Sequence, residues 1–405
     1  MNRGPVTLNP LSDVVSSQYE TWVYPEPIVD LPGWMETSWQ WFDPRISHRL
    51  LWPDRAYTPD LDILIAGCGT NQAAVFAYSN PSAKVVAIDV SQTSLDHHHF
   101  LKEKYELSNL ELHRLPIENV ASLGLDFDLI VSSGVLHHMA DPQAGMSALA
   151  SVLRPDGVIG IMLYAKYGRL GVEMMQGIFR EMGLHQDHES IETVRAALAA
   201  LPPGHPVQSY LEIAPDLQFD AGLVDTFLHG RDRNYTVDDC LALVERSGLV
   251  FQDWLLKSPY YPFNSADSGF TAEITALPAR QQWSIMERIN YRNGCHFFTA
   301  CHPQRPASSY VIDFTSSDFT SYMPDFRHAC SLLGPRLSRY DWWMDLERDQ
   351  LAFVEVIDGQ RTIGEIVAFV EKPGSFADSG SARESARATF RSLWQLDFLS
   401  MGIRN

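Results

Sequence analysis

Gly67 and Gly69 flank Cys68 in the run LDILIAGCGTNQ (61–72), and Asp89 closes the apolar run VVAIDV twenty residues after Gly69. A residue without a Cβ lets the backbone turn sharply and lets a ligand come close. A carboxylate at the end of the next strand can accept hydrogen bonds from ribose hydroxyls. This strand–turn–helix–strand spacing is how an open α/β sheet holds a nucleoside-type cofactor. The loop reads G-C-G-T-N-Q, with no third glycine at the dinucleotide spacing, which favours S-adenosylmethionine (SAM) over a dinucleotide. No phosphate-loop G-x-x-x-x-G-K-[ST] occurs nearby, so a nucleoside triphosphate fits poorly. The expected cofactor contacts are Ala66, Gly67, Cys68, Gly69, Asn71 and Gln72 from the loop, and Asp89, Val90 and Ser91 from the second strand end. Cys68 reads as a small filler, since no partner base is evident in the sequence.

The acceptor side should follow FDLIVSSGVLHHMADP (127–142), where Ser132, Ser133 and Gly134 end a strand and complete the cofactor contacts. Methyl transfer from a sulfonium is an in-line displacement, and alignment alone can be worth about 7–11 kcal/mol. A lysine acceptor with a pKa of about 10.4 costs roughly 4.6 kcal/mol to deprotonate at pH 7. His137 and His138 are candidate bases, and they are equally suited to orienting the loop through backbone carbonyls. In FLHGRDRNYTV (227–237), His229, Asp232 and Arg233 are expected to touch substrate or the cofactor carboxylate, with Tyr235 as a catalytic candidate. The alternative there is a helix-capping turn with a surface ion pair. Tyr19, Trp22 and Tyr24 in QYETWVYPEP (18–27) could stack on the adenosyl group or close over the methionine tail; Tyr19 and Tyr24 are taken as cofactor contacts. His97, His98 and His99 are consecutive on an expected helix and point in three directions, so no metal is expected there. Asp141-Pro142 reads as a helix cap.

These residues need a scaffold, and residues 61–165 supply one by alternation. Strands LDILIAG, KVVAIDV, LELHRL, FDLIVSSG and GVIGIMLYA are separated by helices, the pattern of a doubly wound parallel sheet. Arg154 to Gly157 is expected as a turn before the fifth strand. Residues 166–235 read as a helical insertion over the C-terminal edge of the strands. Helix TVDDCLALVERSG, strand VFQDWLL, a helix over 278–290 and strand GCHFFTACH return to the sheet, the two strands as a closing antiparallel pair. The aromatic, proline-rich segment 1–60 is expected as a cap or lid. A linker follows His302, and 310–405 reads as a small α-rich module of winged or helix-turn-helix spacing. With 14 acidic and 10 basic residues, that module suits dimerisation or partner recruitment better than DNA.

Four motifs together, IAGCGTNQ, the strand-ending Asp89, FDLIVSSGVLHHMADP and LRPDGVIGIMLY, resemble the class I SAM-dependent methyltransferases over residues 10–302. QYETWVYPEP is similar to the Q-Y-E-x-x-x-Y-P segment of a bacterial subgroup, and FLHGRDRNYTV to a segment near its acceptor side. The nearest resemblance is to mycobacterial methyltransferases of the protein (histone) lysine type, which carry a similar C-terminal addition. The resemblance implies a Rossmann-like sheet, SAM as cofactor and a methyl acceptor beyond Gly134. Many relatives place an acidic residue after the third strand to hold the adenine amino group, whereas this chain has HRLPIENV. Glu118 falls one step late, and the main chain of Leu115, Pro116 and Ile117 is expected to take that role.

The 405 residues carry a net charge of −19, which opposes nucleic-acid binding and favours a basic protein or cationic small molecule, or simply keeps the chain soluble. No run of 18 apolar residues occurs to span a membrane, and the opening MNRGPVTLNPLSDVV lacks an apolar core long enough for a signal peptide, so a cytoplasmic protein is expected, with unconventional secretion left open. Five scattered cysteines without C-x-x-C spacing suggest free thiols. Three functions stand at this point: methylation of a protein lysine in a histone-like substrate by a homodimer, methylation of a small molecule at O or N, and SAM binding without turnover.

Overall fold

The computed structural model describes residues 9–262, 269–340, 342–371 and 379–404, so the first eight residues of the expected cap lie outside the described residues. The described chain falls into two compact units. One comprises residues 9–40, 59–251 and 287–304; the other comprises 41–58, 252–286 and 305–404 within the described ranges. Segments 41–58 and 252–286 thus group with the C-terminal residues, although the sequence placed them with the cap and the sheet.

The first unit contains β1 to β5 and β7 of a seven-stranded sheet of order β3-β2-β1-β4-β5-β7-β6. The strands are β1 (Asp62–Ala66), β2 (Lys84–Asp89), β3 (Leu110–Arg114), β4 (Phe127–Ser133), β5 (Leu153–Tyr164), β6 (Val250–Trp254) and β7 (Cys295–Cys301). β1 to β5 run parallel, and β7 pairs antiparallel with β5, Ile161 opposite Phe298. Ile63, Leu64, Ile65 and Ala66 are all fully buried, as a parallel strand covered on both faces requires. The doubly wound sheet read from the sequence is therefore present. β5 begins earlier than expected. Residues 154–157, expected as a turn, lie within it, and the pairing with β4 shifts register between Phe127 and Leu129.

The helices are fixed by their caps. Ser91 Oγ accepts from Ser94 N–H at the start of Gln92–Lys104, and Asp141 accepts from Gln143 and Ala144 N–H at the start of Pro142–Ser151. The insertion contains helices Leu170–Glu181, His188–Ala199, Gln208–Leu211 and Asp220–Phe227, of which the sequence pattern revealed the first two. Val172, Met175, Phe179, Ile191, Val194, Leu223 and Phe227 pack together as its core.

The C-terminal module departs from the α-rich expectation. Helices Arg348–Val354, Ile363–Val370 and Ser379–Gln395 are joined by five strands: β8 (Tyr322–Phe326), β9 (Cys330–Leu333), β10 (Arg336–Arg339), β11 (Trp342–Asp345) and β12 (Leu399–Ile403). β9, β10 and β11 form an antiparallel meander, and β12 pairs with β8. Strands of four or five residues such as RLSR and WWMD carry too few positions to display a period, and their stability comes from cross-strand partners. Among the described residues no helix is long and apolar enough to cross a membrane.

Candidate active site

Gly67 and Gly69 both adopt positive φ, 80° and 52°, which is why glycine stands there. Asp89 fixes the turn they make: its Oδ2 accepts from Gly69 N–H and its Oδ1 from Ser91 N–H, both at 2.9 Å. Burial raises the Asp89 pKa, and these backbone N–H groups oppose the rise. Each carboxylate oxygen keeps acceptor capacity for a ribose hydroxyl. Val90 lends its carbonyl to Arg114 at 3.1 Å, and Ser91 Oγ donates to Tyr19 O at 3.3 Å. Cys68 is buried, and burial together with Asp89 pushes its thiol pKa well up, so it is no nucleophile in this state. Leu115 N–H donates to Asp89 O at 3.0 Å, which draws the Leu115–Ile117 backbone beside the same strand end.

Three loop residues, among them the expected cofactor contacts Asn71 and Gln72, have their polar groups engaged elsewhere. Asn71 accepts from Ile28 N–H and donates to Glu26 O, Thr70 donates to Pro25 O, and Gln72 reaches Gln40 at 3.4 Å. These side chains tie the N-terminal segment to the glycine loop. Ser132 donates to Ala66 O inside the sheet, while half-buried Ser133 and Gly134, at φ 78°, form the open strand end. Helix Val14–Thr21 lies over that edge: Glu20 accepts from Gln92 N–H, Thr93 N–H and Thr93 Oγ1, and pairs with Arg114 at 3.3 Å.

Beyond Gly134 a short turn, Leu136–His138, carries both histidines inward. His138 Nδ1 lies 3.0 Å from Arg231 O. A carbonyl only accepts, so the neutral ring bears its proton on Nδ1 and its lone pair on Nε2. His138 stacks on His229 at 3.9 Å, and His137 on Tyr164 at 3.9 Å. His229 has the opposite tautomer: its Nδ1 accepts from Arg231 N–H at 2.9 Å, which places the proton on Nε2. Burial, then the neighbouring His138, depress the pKa of both His137 and His229 well below the ordinary value.

Helix Asp220–Phe227 adds Asp225, which the sequence reading did not single out. It is 1% exposed. Tyr19 donates to its Oδ1 at 2.7 Å and Tyr164 to its Oδ2 at 3.0 Å. Burial, then Asp225, raise both phenol pKa values well above the usual range, so both stay donors. Tyr24 donates to Asp216 at 2.9 Å. Tyr19 and Tyr24 thus give their hydroxyl protons to carboxylates, while their backbone carbonyls lie beside Ser91 and Gly69 respectively. The hydroxyls could not be traced from sequence, because Asp225 lies 206 residues from Tyr19 and 61 from Tyr164.

The Asp232 side chain is also buried, near His138. Its Oδ2 accepts from Arg169 at 3.1 Å and from Gln176 at 3.0 Å, and its Oδ1 lies 3.9 Å from His138 Nδ1. Arg169, fully buried, stacks over Tyr164 with its carbon 3.6 Å from the ring centroid. Asp232 therefore belongs to a buried ion pair behind His138 and not to a surface cap. Arg233 and Tyr235 go elsewhere: with Asp141, Gln143, Asp239 and Arg246 they line a cavity of about 400 Å³. Arg233 donates to Ala140 O at 3.2 Å. Burial raises the Tyr235 pKa to about 12, and Arg233 at its hydroxyl opposes that rise.

Ring nitrogens of His138 and His229 and an Asp225 oxygen lie within 4.8 Å of one another, as do His137, His138 and Asp232. The donor sets fit a metal badly. Ligation through His229 Nε2 would need a proton on Nδ1, which faces the Arg231 N–H. An ion beside Asp232 would face the Arg169 guanidinium. In the expected His97–His99 trio, His97 bonds Ile28 O at 2.9 Å, His98 is fully buried, and His99 is exposed, so the three do point apart.

The sheet order, glycine turn, Asp89 and roofed strand end define a class I SAM-dependent methyltransferase. Residues 64–159 match the family model described as a methyltransferase domain. The chain is 31% identical over 301 residues to an uncharacterized protein of Synechococcus sp., covering 69% of each. It belongs to that protein's family, and it is an enzyme that uses SAM. It is 34% identical over 121 residues to tRNA 5-carboxymethoxyuridine methyltransferase of Escherichia coli K12, covering 29% of this chain and 46% of that one. In structure it is similar to PKMT2 from Rickettsia typhi, with a TM-score of 0.65, 14% identity and coverage of 89% of this chain and 76% of that one. PKMT2 has also been solved in complex with AdoHcy. SAM supplies an electrophilic methyl; the residues of this chain that would hold it are the glycine loop, Asp89 and the Leu115–Ile117 backbone.

Proposed function

We propose that the protein methylates the side-chain amine of a lysine in a basic, histone-like protein. The observation that carries this reading is His138, whose Nδ1 faces Arg231 O at 3.0 Å, so that its other ring nitrogen is the one suited to take a proton. An amine becomes a nucleophile only after losing a proton, and a positioned imidazole nitrogen can take it. Beside it the Tyr19 ring, edge-on to His138 with the centroids 6.4 Å apart, offers an apolar surface for an aliphatic stem. The net charge of −19 favours a basic partner. The resemblance to lysine-type enzymes points the same way. The homodimer and cytoplasmic location expected from the sequence belong to this proposal, with residues 310–405 as the recruiting or dimerising module.

A tRNA acceptor is the second reading, favoured by the Escherichia coli relative named above. The acidic chain opposes it, because phosphate contacts are made with clustered Lys and Arg. Incubation with methyl-labelled SAM and a panel of basic proteins, small hydroxy and amino compounds, and bulk tRNA decides between them. Label on lysine, located by mass spectrometry, is expected. Label confined to tRNA or to a small molecule would overturn the proposal.

A further inference from the structure

We propose that Asp225 is the seat for a protonated alkyl amine, so that the acceptor enters as a cation and docks on this carboxylate before it is deprotonated. The inference rests on the lysine reading for its biological substrate and on the following chemistry for its seat. A buried carboxylate is costly unless a counter-charge or a full set of hydrogen bonds compensates it. Asp225 has two phenol donors, one on each oxygen. Among the described residues no lysine or arginine lies within ion-pair distance of it. The two guanidiniums of this region are directed elsewhere, Arg169 to Asp232 and Arg231 to Asp13.

The surroundings are pre-set for such a guest. Tyr19 and Tyr164 each use their one proton on Asp225, which leaves their oxygen lone pairs as acceptors. His229 Nε2–H faces Tyr19 Oη at 3.4 Å and holds that phenol in place. His138 contributes a ring nitrogen within 4.8 Å of both Asp225 and His229. An ammonium carries three donors and no acceptor. It meets here a carboxylate and two phenol oxygens, with a ring nitrogen of His138 close by. A neutral hydroxyl of the same size would leave the carboxylate uncompensated, and an anionic acceptor would be repelled. A metal ion is disfavoured by the His229 tautomer described above.

The test uses n-butylammonium, a lysine side-chain mimic, with the full chain loaded with AdoHcy. Calorimetry should find that wild type binds n-butylammonium at least tenfold more tightly than Asp225→Asn does, and that butan-1-ol fails to compete. AdoHcy and SAM affinities should keep their ratio in Asp225→Asn. In protein labelled at tyrosine ring carbons, n-butylammonium should shift the Tyr19 and Tyr164 signals, assigned with Tyr19→Phe and Tyr164→Phe, whereas butan-1-ol should not. That measurement decides the matter even if Asp225→Asn does not fold. Equal binding by wild type and Asp225→Asn, unmoved tyrosine signals, or a selective loss of SAM over AdoHcy affinity would each overturn the proposal, the last by giving the seat to the sulfonium. If the amine binds through Asp225 and no protein lysine is methylated, the lysine-protein reading fails and the ammonium seat stands.

Discussion

A Cβ on Gly67 would sit 2.4 Å from Cγ2 of Val135, on the segment that leads from β4 to the two histidines. The backbone there also has φ of +80°, a conformation that costs an alanine about 1–2 kcal/mol. Gly67→Ala should therefore push Val135 and distort the glycine loop. AdoHcy affinity, measured by calorimetry, is expected to fall at least tenfold; an unchanged affinity would mean that the loop does not hold the cofactor. The glycine turn and its tie to Asp89 were legible because their constraints are local. Gly67, Gly69 and Asp89 sit within one strand–turn–helix–strand unit, and their spacing is set by it. Asp225 was not legible. In DAGLVDTF it reads as one polar position on an apolar helix, and its meaning comes from Tyr19 and Tyr164, which only the folded chain brings to it. Asp232 was noticed for the right reason, a polar cluster at an insertion boundary, yet its partner Arg169 lies 63 residues upstream.

The elements divide in the same way between local and distant causes. β1, β2 and β4 announced themselves as apolar runs, since a parallel strand buried on both faces has no polar side to hide. The five short strands after residue 321 did not, because strands of four or five residues show their pattern only when paired. β7 and the helix before it carry a consequence that no pattern displays. Glu287 is buried and accepts from Val237 N–H at 3.1 Å, and burial lifts its pKa from 4.5 to about 7. His296 on β7, buried and donating to Tyr235 O, is depressed from 6.5 to about 4. Between about pH 4.5 and 7 the folded state retains a proton on Glu287 that the unfolded chain has lost, so this contribution to stability is full below 4.5 and disappears as pH rises through 7. His296 works in the other direction, removing stability as pH falls from 6.5 towards 4. Glu287→Gln keeps the acceptor and removes the titration. Relative to wild type it should gain up to about 3 kcal/mol at pH 8 and nothing near pH 4.5. Chemical denaturation at both pH values measures this, and a difference independent of pH would refute it.

At the scale of the whole molecule, 50 acidic against 31 basic residues set the conditions for meeting a substrate. A surface of one dominant sign attracts an oppositely charged macromolecule from beyond contact distance, and salt weakens that attraction as the Debye length shrinks from about 10 Å at 0.1 M to about 3 Å at 1 M. The buried charges of Asp225, Asp232 and Arg169 feel salt far less, since they are enclosed in protein. The two effects separate in one experiment. For a basic protein acceptor, kcat/KM should fall about tenfold or more between roughly 0.05 and 0.5 M salt, the range over which steering is screened. For n-butylammonium offered as a free acceptor, the same salt change should alter the rate by less than about threefold, because one small charge gains little from steering. A parallel decline for both acceptors would place the salt effect at the site itself. A rate that rises with salt for the basic protein would mean that the acidic surface serves solubility alone, and that recognition of the substrate depends on apolar contacts.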